Sequence, residues 1–350
     1  MSKLQPQPSI LKEYTVVELF AGAGGLALGL EQAGFTTKAT VEINKWAAKT
    51  LITNRPHWNV IQKDIQEVVQ DGIRNYLDDK NIEIDLLSGG YPCQSFSYAG
   101  KKLGLEDTRG TLFYDFAEIL KELKPKMFLA ENVKGLATHD KGRTLQVMLD
   151  VFEEVGYKVD YKVLNALDYG VAQKRQRIVI IGTRKDIRKK IGFDYQYPEP
   201  YKETLTLKDI LKDVPPSPCA KYNDKKKEVL KYVSPGGCWR DLPDDVAREY
   251  MKTTYYMGGG RTGIARRLSW DEPGLTVLCS PSQKQTERCH PDELRPFSIR
   301  ENARIQSFPD DWIFEGSLSE QYKQIGNAVP VNLAKEIGKS IIAYLDNLKD

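Results

Sequence analysis

One cysteine stands where a thiol could act as a nucleophile. Cys93 lies among glycine, proline, glutamine and serine residues in the segment 89–97, directly after the apolar run Ile84 to Ser88. In a parallel α/β sheet the loop that leaves a strand lies at the carboxyl edge, where such folds bind ligands. A small buried side chain is the usual alternative for a cysteine, but these neighbours offer no hydrophobic core. The pattern therefore predicts a nucleophilic thiol at this edge.

Two further strand ends carry groups suited to acid–base and carbonyl chemistry. Glu131 follows the apolar residues 127–130, and burial beside aliphatic side chains raises the pKa of a carboxyl group toward neutrality. Arg175 and Arg177 alternate onto one face of an extended segment and would form a fork for carbonyl oxygens or phosphates. Taken singly, each of these side chains fits an ordinary salt bridge equally well.

A glycine-rich turn joins the first predicted strand to the first helix. Gly22, Gly24 and Ala27 have the spacing of the dinucleotide fingerprint, and Glu42 follows at the end of the second strand, where a carboxylate can accept both ribose hydroxyls. The pattern fits a nicotinamide dehydrogenase, an S-adenosylmethionine enzyme, or a tight turn that needs small residues.

Two residues beside this turn favour a cationic cofactor. The ring of Phe20, just ahead of the glycines, could stack on an adenine face. Glu18 places a negative charge where the pyrophosphate of a dinucleotide would be repelled.

Composition excludes several classes of protein. The 350 residues hold 51 Lys and Arg against 48 Asp and Glu, so the net charge alone indicates no nucleic-acid partner. Five cysteines without CxxC spacing argue against a disulfide framework or a structural zinc site, and Cys279, Cys289 and His290 on one loop are the nearest approach to a metal cluster. Because no apolar run reaches the length of a membrane span and the N-terminus lacks a signal sequence, we expect a cytoplasmic protein.

Alternating strand and helix patterns in the first half predict a doubly wound α/β sheet. The predicted strands are Val16 to Phe20, Lys38 to Glu42, Ile84 to Ser88, Met127 to Glu131 and Arg177 to Gly182. The predicted helices are Gly25 to Ala33, Lys45 to Thr53, Leu112 to Leu123, Thr144 to Val155 and, further on, Ile299 to Gln306 and Asn332 to Leu348.

The amino-acid composition changes after Arg184, where prolines and the triplet Gly258 to Gly260 interrupt any long helix or strand. This part is predicted to be a separate, loop-rich lobe with short strands. Basic residues outnumber acidic ones between Lys185 and Arg300, which fits a DNA-facing lobe and also an ordinary solvated surface.

Taken together, the motifs resemble the cytosine-5 DNA methyltransferase family, in particular its bacterial restriction-modification members, over nearly the whole chain and in the family's order. Glu18 replaces the aspartate of many relatives, and Val331 replaces a proline. The matching blocks are Glu18 to Gly25, Pro92 to Ser97, Arg109 to Phe113, Glu131 to Val133, Leu164 to Gly170, Gln173 to Arg177, Arg300 to Pro309 and Gln324 to Pro330.

The resemblance implies a mixed sheet of the S-adenosylmethionine-dependent methyltransferase type with a smaller target-recognition domain. The expected organisation is a flexible tail (1–13), a catalytic domain (14–200), a target-recognition domain (201–298), a hinge (299–326) and a C-terminal segment that returns to the catalytic domain (327–350). It also implies that double-stranded DNA is the partner, that the enzyme is a monomer without membrane association, and that a cognate restriction endonuclease accompanies it.

The resemblance further assigns roles to the catalytic residues. Cys93 would add to carbon 6 of cytosine, Glu131 would relieve charge at N3, and Arg177, with Arg175 beside it, would hold the O2 carbonyl. The base that removes the carbon 5 proton stays unassigned.

The cofactor implied is S-adenosyl-L-methionine, which leaves as S-adenosyl-L-homocysteine, and no metal is required. Phe20 and the glycines would line the methionine and adenine ends, and Asn327 would reach the amino-acid end. The implied cofactor-binding residues are Glu18, Phe20, Ala21, Gly22, Gly24, Gly25, Glu42, Asp64, Ile65, Pro92, Asn327 and Ala328.

The target cytosine must leave the duplex, because neither reacting carbon is accessible in a stacked helix. The loop 94–108 is predicted to close over it, although an ordinary surface loop would have the same composition. The predicted DNA contacts, each of which could instead be structural, are Gln94, Ser97, Lys101, Arg266, Arg267, Thr276, Gln283, Lys284, Gln285 and Arg288. A family member that methylates RNA and a catalytically silent DNA-binding relative stay open as alternatives.

Overall fold

A seven-stranded mixed sheet forms the centre of the molecule. The computed structural model describes residues 13–91 and 111–348. The sheet has the strand order β3-β2-β1-β4-β5-β8-β6, and within it only β8 runs against its neighbours. The described strands are β1 Tyr14–Leu19, β2 Phe35–Val41, β3 Val60–Ile61, β4 Leu86–Gly89, β5 Met127–Val133, β6 Tyr157–Asn165, β7 Gln173–Lys174, β8 Gln176–Arg184 and β9 Gly274–Leu275.

Helices cover both faces of the sheet, which explains why the central strands are apolar on both sides. Phe116 and Phe152 pack on one face, and Leu30 and Ile337 pack on the other. The described α-helices are α1 Gly25–Ala33, α2 Lys45–Asn54, α3 Ile65–Asp71, α4 Leu112–Leu123, α5 Arg143–Glu154, α6 Lys185–Ile191, α7 Leu207–Ile210, α8 Asp224–Leu230, α9 Asp244–Met251, α10 Ile299–Ile305, α11 Leu318–Asn327 and α12 Val331–Leu345. No helix in these ranges is both long and apolar enough to cross a membrane.

The predicted elements agree with the structure closely where hydrophobic periodicity is strong. Helices α1 and α4 begin and end at the predicted residues, and α12 ends three residues earlier than predicted. Strand β6 was not predicted. It lies at the edge of the described sheet, beside β8. Its apolar residues from Tyr157 to Val163 alternate with charged ones, so the strand signal was present in the sequence and was missed.

A second, smaller core lies between Tyr222 and Leu294, apart from the sheet. In contrast to the predicted short strands, short helices such as α8 and α9 build this part, which we call the small lobe (residues 222–294). Strand β9 is the one strand assigned to the described residues 185–298. The many prolines and glycines shorten the helices as well as the strands. The pairing of β9 with β7 joins this half of the chain to the sheet-forming half.

Helices α1 and α12 approach each other through small residues. A Cβ atom added at Gly29 would lie 2.4 Å from Ala334 Cβ and 2.5 Å from the Val331 carbonyl oxygen. Real Cβ atoms do not approach so closely, so α12 can dock on α1 only if position 29 is glycine.

We therefore expect Gly29→Ala to lower the free energy of unfolding by about 1–3 kcal/mol, measured by urea denaturation. The steric conflict outweighs the gain of about 1 kcal/mol that alanine gives inside a helix. Gly135→Ala is the matched control, because a Cβ there meets no atom within 4 Å. Equal stability of the two variants would contradict the close packing of α1 and α12.

Candidate active site

An acid and an arginine form a buried ion pair at the carboxyl edge of the sheet. The Nε atom of Arg177 lies 2.7 Å from Oε1 of Glu131, and their side chains are 14% and 13% exposed. Strand register explains the meeting, because Val133 of β5 pairs with Arg177 of the antiparallel β8. Burial raises the pKa of Glu131, while Arg177 and Arg175 oppose the rise.

The backbone that precedes Cys93 packs against this pair. A Cβ atom at Gly90 would lie 2.9 Å from Oε2 of Glu131, and Nδ2 of Asn132 donates a hydrogen bond of 2.8 Å to the Tyr91 carbonyl oxygen. Strand β4 therefore delivers the chain directly beside Glu131, two residues before Cys93. The predicted residues Pro92, Cys93, Gln94, Ser97 and Lys101 themselves lie outside the described residues, as does the whole predicted loop 94–108.

The structure corrects the expected fork of two arginines. Arg175 is 1% exposed, and its guanidinium group donates to the carbonyl oxygens of Val277 (3.2 Å), Gly326 (3.0 Å) and Ala328 (3.0 Å). Burial, with Arg177 nearby, lowers the pKa of Arg175 to about 9. Of the two side chains, Arg177 meets Glu131, whereas Arg175 ties three distant segments together.

The three glycines of the turn after β1 have different surroundings. Gly22 has φ 55°, and a Cβ atom there would meet nothing within 4 Å. A Cβ atom at Gly24 would lie 2.6 Å from Leu51 Cδ2, and one at Gly25 would lie 2.2 Å from the Val329 carbonyl oxygen. Gly22 thus borders open space, while Gly24 and Gly25 allow close packing within the protein.

Glu42 fixes the shape of this turn. Its Oε2 accepts a 2.7 Å hydrogen bond from the Gly22 amide, and its Oε1 accepts one of 2.7 Å from the Asn44 amide. Burial raises the pKa of Glu42, against the effect of these two amides. Each carboxylate oxygen can accept a second hydrogen bond, so the group also fits a ribose diol.

Glu18 differs from the sequence-based expectation. Its side chain is 1% exposed, Ser88 Oγ donates to its Oε2 over 3.4 Å, and burial raises its pKa to about 8. Burial therefore favours the neutral form of Glu18 and weakens the negative charge from which repulsion of a pyrophosphate was expected.

The remaining predicted cofactor residues lie on loops and at helix ends, after strands in the case of Phe20, Ala21, Asp64 and Ile65 and at the end of α11 in the case of Asn327 and Ala328. Phe20 is partly buried with φ 56°, Ala21 donates its amide to the Val41 carbonyl oxygen, and Asp64 caps α3 by accepting from the Gln66 amide. Ile65 and Ala328 are buried, and Asn327 is exposed.

Several residues predicted to contact DNA form hydrogen bonds within the protein instead. Arg267 donates to the Val233 carbonyl oxygen over 3.0 Å, and Thr276 donates to the Lys174 carbonyl oxygen over 2.9 Å. Lys284 donates to the Tyr250 carbonyl oxygen. These contacts favour structural roles for the three residues.

The other predicted DNA contacts differ in their exposure. Gln283 and Gln285 are exposed, whereas Arg266 and Arg288 are partly buried, and burial lowers the pKa of Arg288 to about 10. No sequence motif singled out Tyr256 and Met257 of the small lobe, yet their large apolar side chains are 74% and 55% exposed. Unusual exposure of large apolar side chains is a property that no sequence pattern signals.

The cysteine and histidine residues that the structure describes show no arrangement for a metal. Within residues 13–91 and 111–348, no group of three His, Cys, Asp or Glu side chains is placed to bind one. Cys289 is fully buried, and Nδ1 of His290 accepts hydrogen bonds from the amides of Asp292 and Glu293.

A mixed sheet with one reversed strand, a glycine turn held by Glu42 and the Glu131–Arg177 pair fit the class of α/β methyltransferases. The sequence profile described as "C-5 cytosine-specific DNA methylase" matches residues 14–343. The chain therefore belongs to the cytosine-5 DNA methyltransferase family, in its type II restriction-modification branch.

Relatives and solved structures agree with this assignment. Type II methyltransferase M.Sau96I from Staphylococcus aureus is 61% identical over 335 residues, which cover 96% of this chain and 77% of the relative. Type II methyltransferase M.Eco47II from Escherichia coli is 54% identical over 343 residues, covering 96% and 80%. The crystal structure of a putative DNA modification methyltransferase encoded within a prophage (E. coli) matches with a TM-score of 0.69 and 25% identity, covering 95% of this chain and all of that one.

Proposed function

We propose that this enzyme transfers a methyl group from S-adenosyl-L-methionine to carbon 5 of a cytosine flipped out of duplex DNA, through a transient covalent bond from Cys93. The observation that carries the proposal is the buried Glu131–Arg177 pair, against which the chain leading to Cys93 packs. When a thiolate adds to cytosine, negative charge develops at N3 and O2 of the ring. An acid and a cation at the carboxyl edge of the sheet are suited to neutralise that charge.

The chain's own residues perform the steps at the ring. The Cys93 thiolate forms a bond to carbon 6, Glu131 supplies the proton that N3 takes up, and Arg177 donates hydrogen bonds to O2. Carbon 5 thereby gains the electron pair that attacks a methyl group. Loss of the carbon 5 proton to a base then breaks the bond from carbon 6 to sulfur and expels the thiolate. Return of the N3 proton to Glu131 restores the neutral aromatic ring and the acid.

Residues around the glycine turn fit the cofactor. The open space beside Gly22 admits a ligand, Glu42 keeps acceptor capacity for the ribose hydroxyls, and Asp64 and Ile65 would face the adenine edge. Asn327 would donate to the amino-acid end. S-adenosyl-L-methionine supplies the activated methyl group, so the transfer needs no metal.

The small lobe, residues 222–294, would select the DNA site. Its exposed Gln283 and Gln285 can read base edges, and extrusion of the target base costs about a few kcal/mol. Contacts between the lobe and the phosphates would offset that cost.

Sequencing the DNA of a host that expresses the chain tests the proposal. Bisulfite or long-read sequencing should show 5-methylcytosine at nearly every copy of one short sequence, and none in the same host with an empty vector. Purified enzyme should methylate duplex DNA and leave transfer RNA unmodified. Methylation of transfer RNA alone, or of neither substrate, would contradict the proposal.

A further inference from the structure

A contact outside the catalytic pair joins the segment after β9 to the C-terminal end of α11. A Cβ atom at Gly326 would lie 2.4 Å from the Cys279 amide nitrogen, so the two backbones touch. Arg175 reinforces the contact, because it donates to Val277 on one side and to Gly326 and Ala328 on the other. We call residues 277–279 and 326–328 together with Arg175 the clasp.

Within the clasp, the exposed side chains of Cys279 and Asn327 bind each other. Sγ of Cys279 donates a 2.9 Å hydrogen bond to Oδ1 of Asn327. Burial raises the pKa of the Cys279 thiol, although Arg175 and Lys323 oppose the rise, so the group is protonated at neutral pH and acts as a donor.

This bond leaves one end of the Asn327 amide available. Asn327 is exposed, and within residues 13–91 and 111–348 no hydrogen bond from its Nδ2 is observed. With Oδ1 occupied by the thiol, the NH₂ group is the end that can meet a ligand. It provides donors, which suit a carboxylate.

We propose that Cys279 is a positioning residue that orients the Asn327 amide so that its NH₂ group binds the carboxylate of the cofactor's amino-acid end. The inference rests on the cofactor role proposed above for Asn327. Because Cys279 follows β9 within the small lobe, while Asn327 ends α11, the bond links the placement of that segment to cofactor affinity.

The inference is tested by measuring the Kd for S-adenosyl-L-homocysteine by calorimetry in the absence of DNA. Cys279→Val replaces the thiol with a somewhat larger apolar side chain that has no donor, and should raise Kd about 3–10-fold, the effect of one hydrogen bond. Cys279→Ser restores a donor and should bind within about twofold of the wild type. In steady-state methylation, Cys279→Val should raise KM for the cofactor and leave kcat nearly unchanged.

Cys219→Val is the matched control, since that thiol donates to the carbonyl oxygens of Ala220 and Pro296 and lies outside the clasp. It should leave Kd unchanged. Thermal unfolding of each variant without cofactor separates lost binding from lost folding. A Kd for Cys279→Val equal to that of the wild type would overturn the inference.

Asn327→Ala separates the inference from the function on which it rests. An unchanged Kd in Asn327→Ala would show that the cofactor role proposed for Asn327 is wrong. If Asn327→Ala weakens binding and adding Cys279→Val weakens it no further, the two residues act together as proposed. A further, additive loss in the double variant would overturn the positioning role of Cys279 and leave the proposed role of Asn327 intact.

Discussion

Cys93→Ser should lower the rate of methyl transfer by about 10⁴-fold or more, while the variant still binds duplex DNA and cofactor. A serine hydroxyl stays protonated near neutral pH, so it does not add to carbon 6, and carbon 5 never becomes a nucleophile. Single-turnover transfer of a radiolabelled methyl group to DNA measures the effect, and a DNA mobility-shift assay measures the retained binding.

A duplex that contains 5-fluorocytosine at the target position tests the covalent bond itself. Fluorine on carbon 5 cannot leave as a proton does, so the adduct should persist and survive denaturation. The wild type and Cys219→Ser, the thiol control, should form the adduct, and Cys93→Ser should not. Wild-type activity in Cys93→Ser would refute the assignment, and a wild type that binds DNA without an adduct or methylation would indicate a silent DNA-binding relative.

Glu131→Gln should slow methyl transfer by about 10²–10⁴-fold and leave the Kd for S-adenosyl-L-homocysteine nearly unchanged. Glutamine keeps the size of the side chain but cannot supply a proton to N3, and it removes the charge that pairs with Arg177. Single-turnover kinetics measures the loss. Glu83→Gln, in which an exposed carboxylate is replaced, is the control and should retain wild-type rates.

The pH dependence of the same assay separates the acid role from a packing role. Burial raises the pKa of Glu131, and its protonated fraction falls as the pH rises through that value. The wild-type rate should therefore decline on the alkaline side of the pH profile, and this decline should disappear in Glu131→Gln. A variant with an unchanged rate and profile would exclude Glu131 as the proton donor.

The positions of the reacting groups follow from local sequence. Glu131 lies near the end of an apolar strand, and Gly22 and Glu42 follow two others. Parallel strands deliver their carboxyl ends to one edge of a sheet. The antiparallel pairing that brings Arg177 to Glu131 could not be predicted from strand patterns alone. The motifs nevertheless named both members of the pair.

Local sequence gave no basis for the roles of Arg175, Gly25 and Cys279. Their partners lie roughly 50 to 300 residues away along the chain, at Val277, Val329 and Asn327, so their roles depend on how remote segments pack. Composition and spacing describe neighbours along the chain and do not specify such contacts.

The sequence by itself determined which strand ends carry the thiol, the acid and the glycine turn, because strand period and turn chemistry are local properties. Only the tertiary structure decided how burial shifts the pKa of a side chain and whether that side chain already forms hydrogen bonds within the protein. Burial in the sheet raises the pKa of Glu18 to about 8, and Arg175 is a structural tie because its guanidinium group donates to three remote carbonyl oxygens. Burial and long-range hydrogen bonding arise only when distant segments pack together, and they set the pKa and the availability of each group.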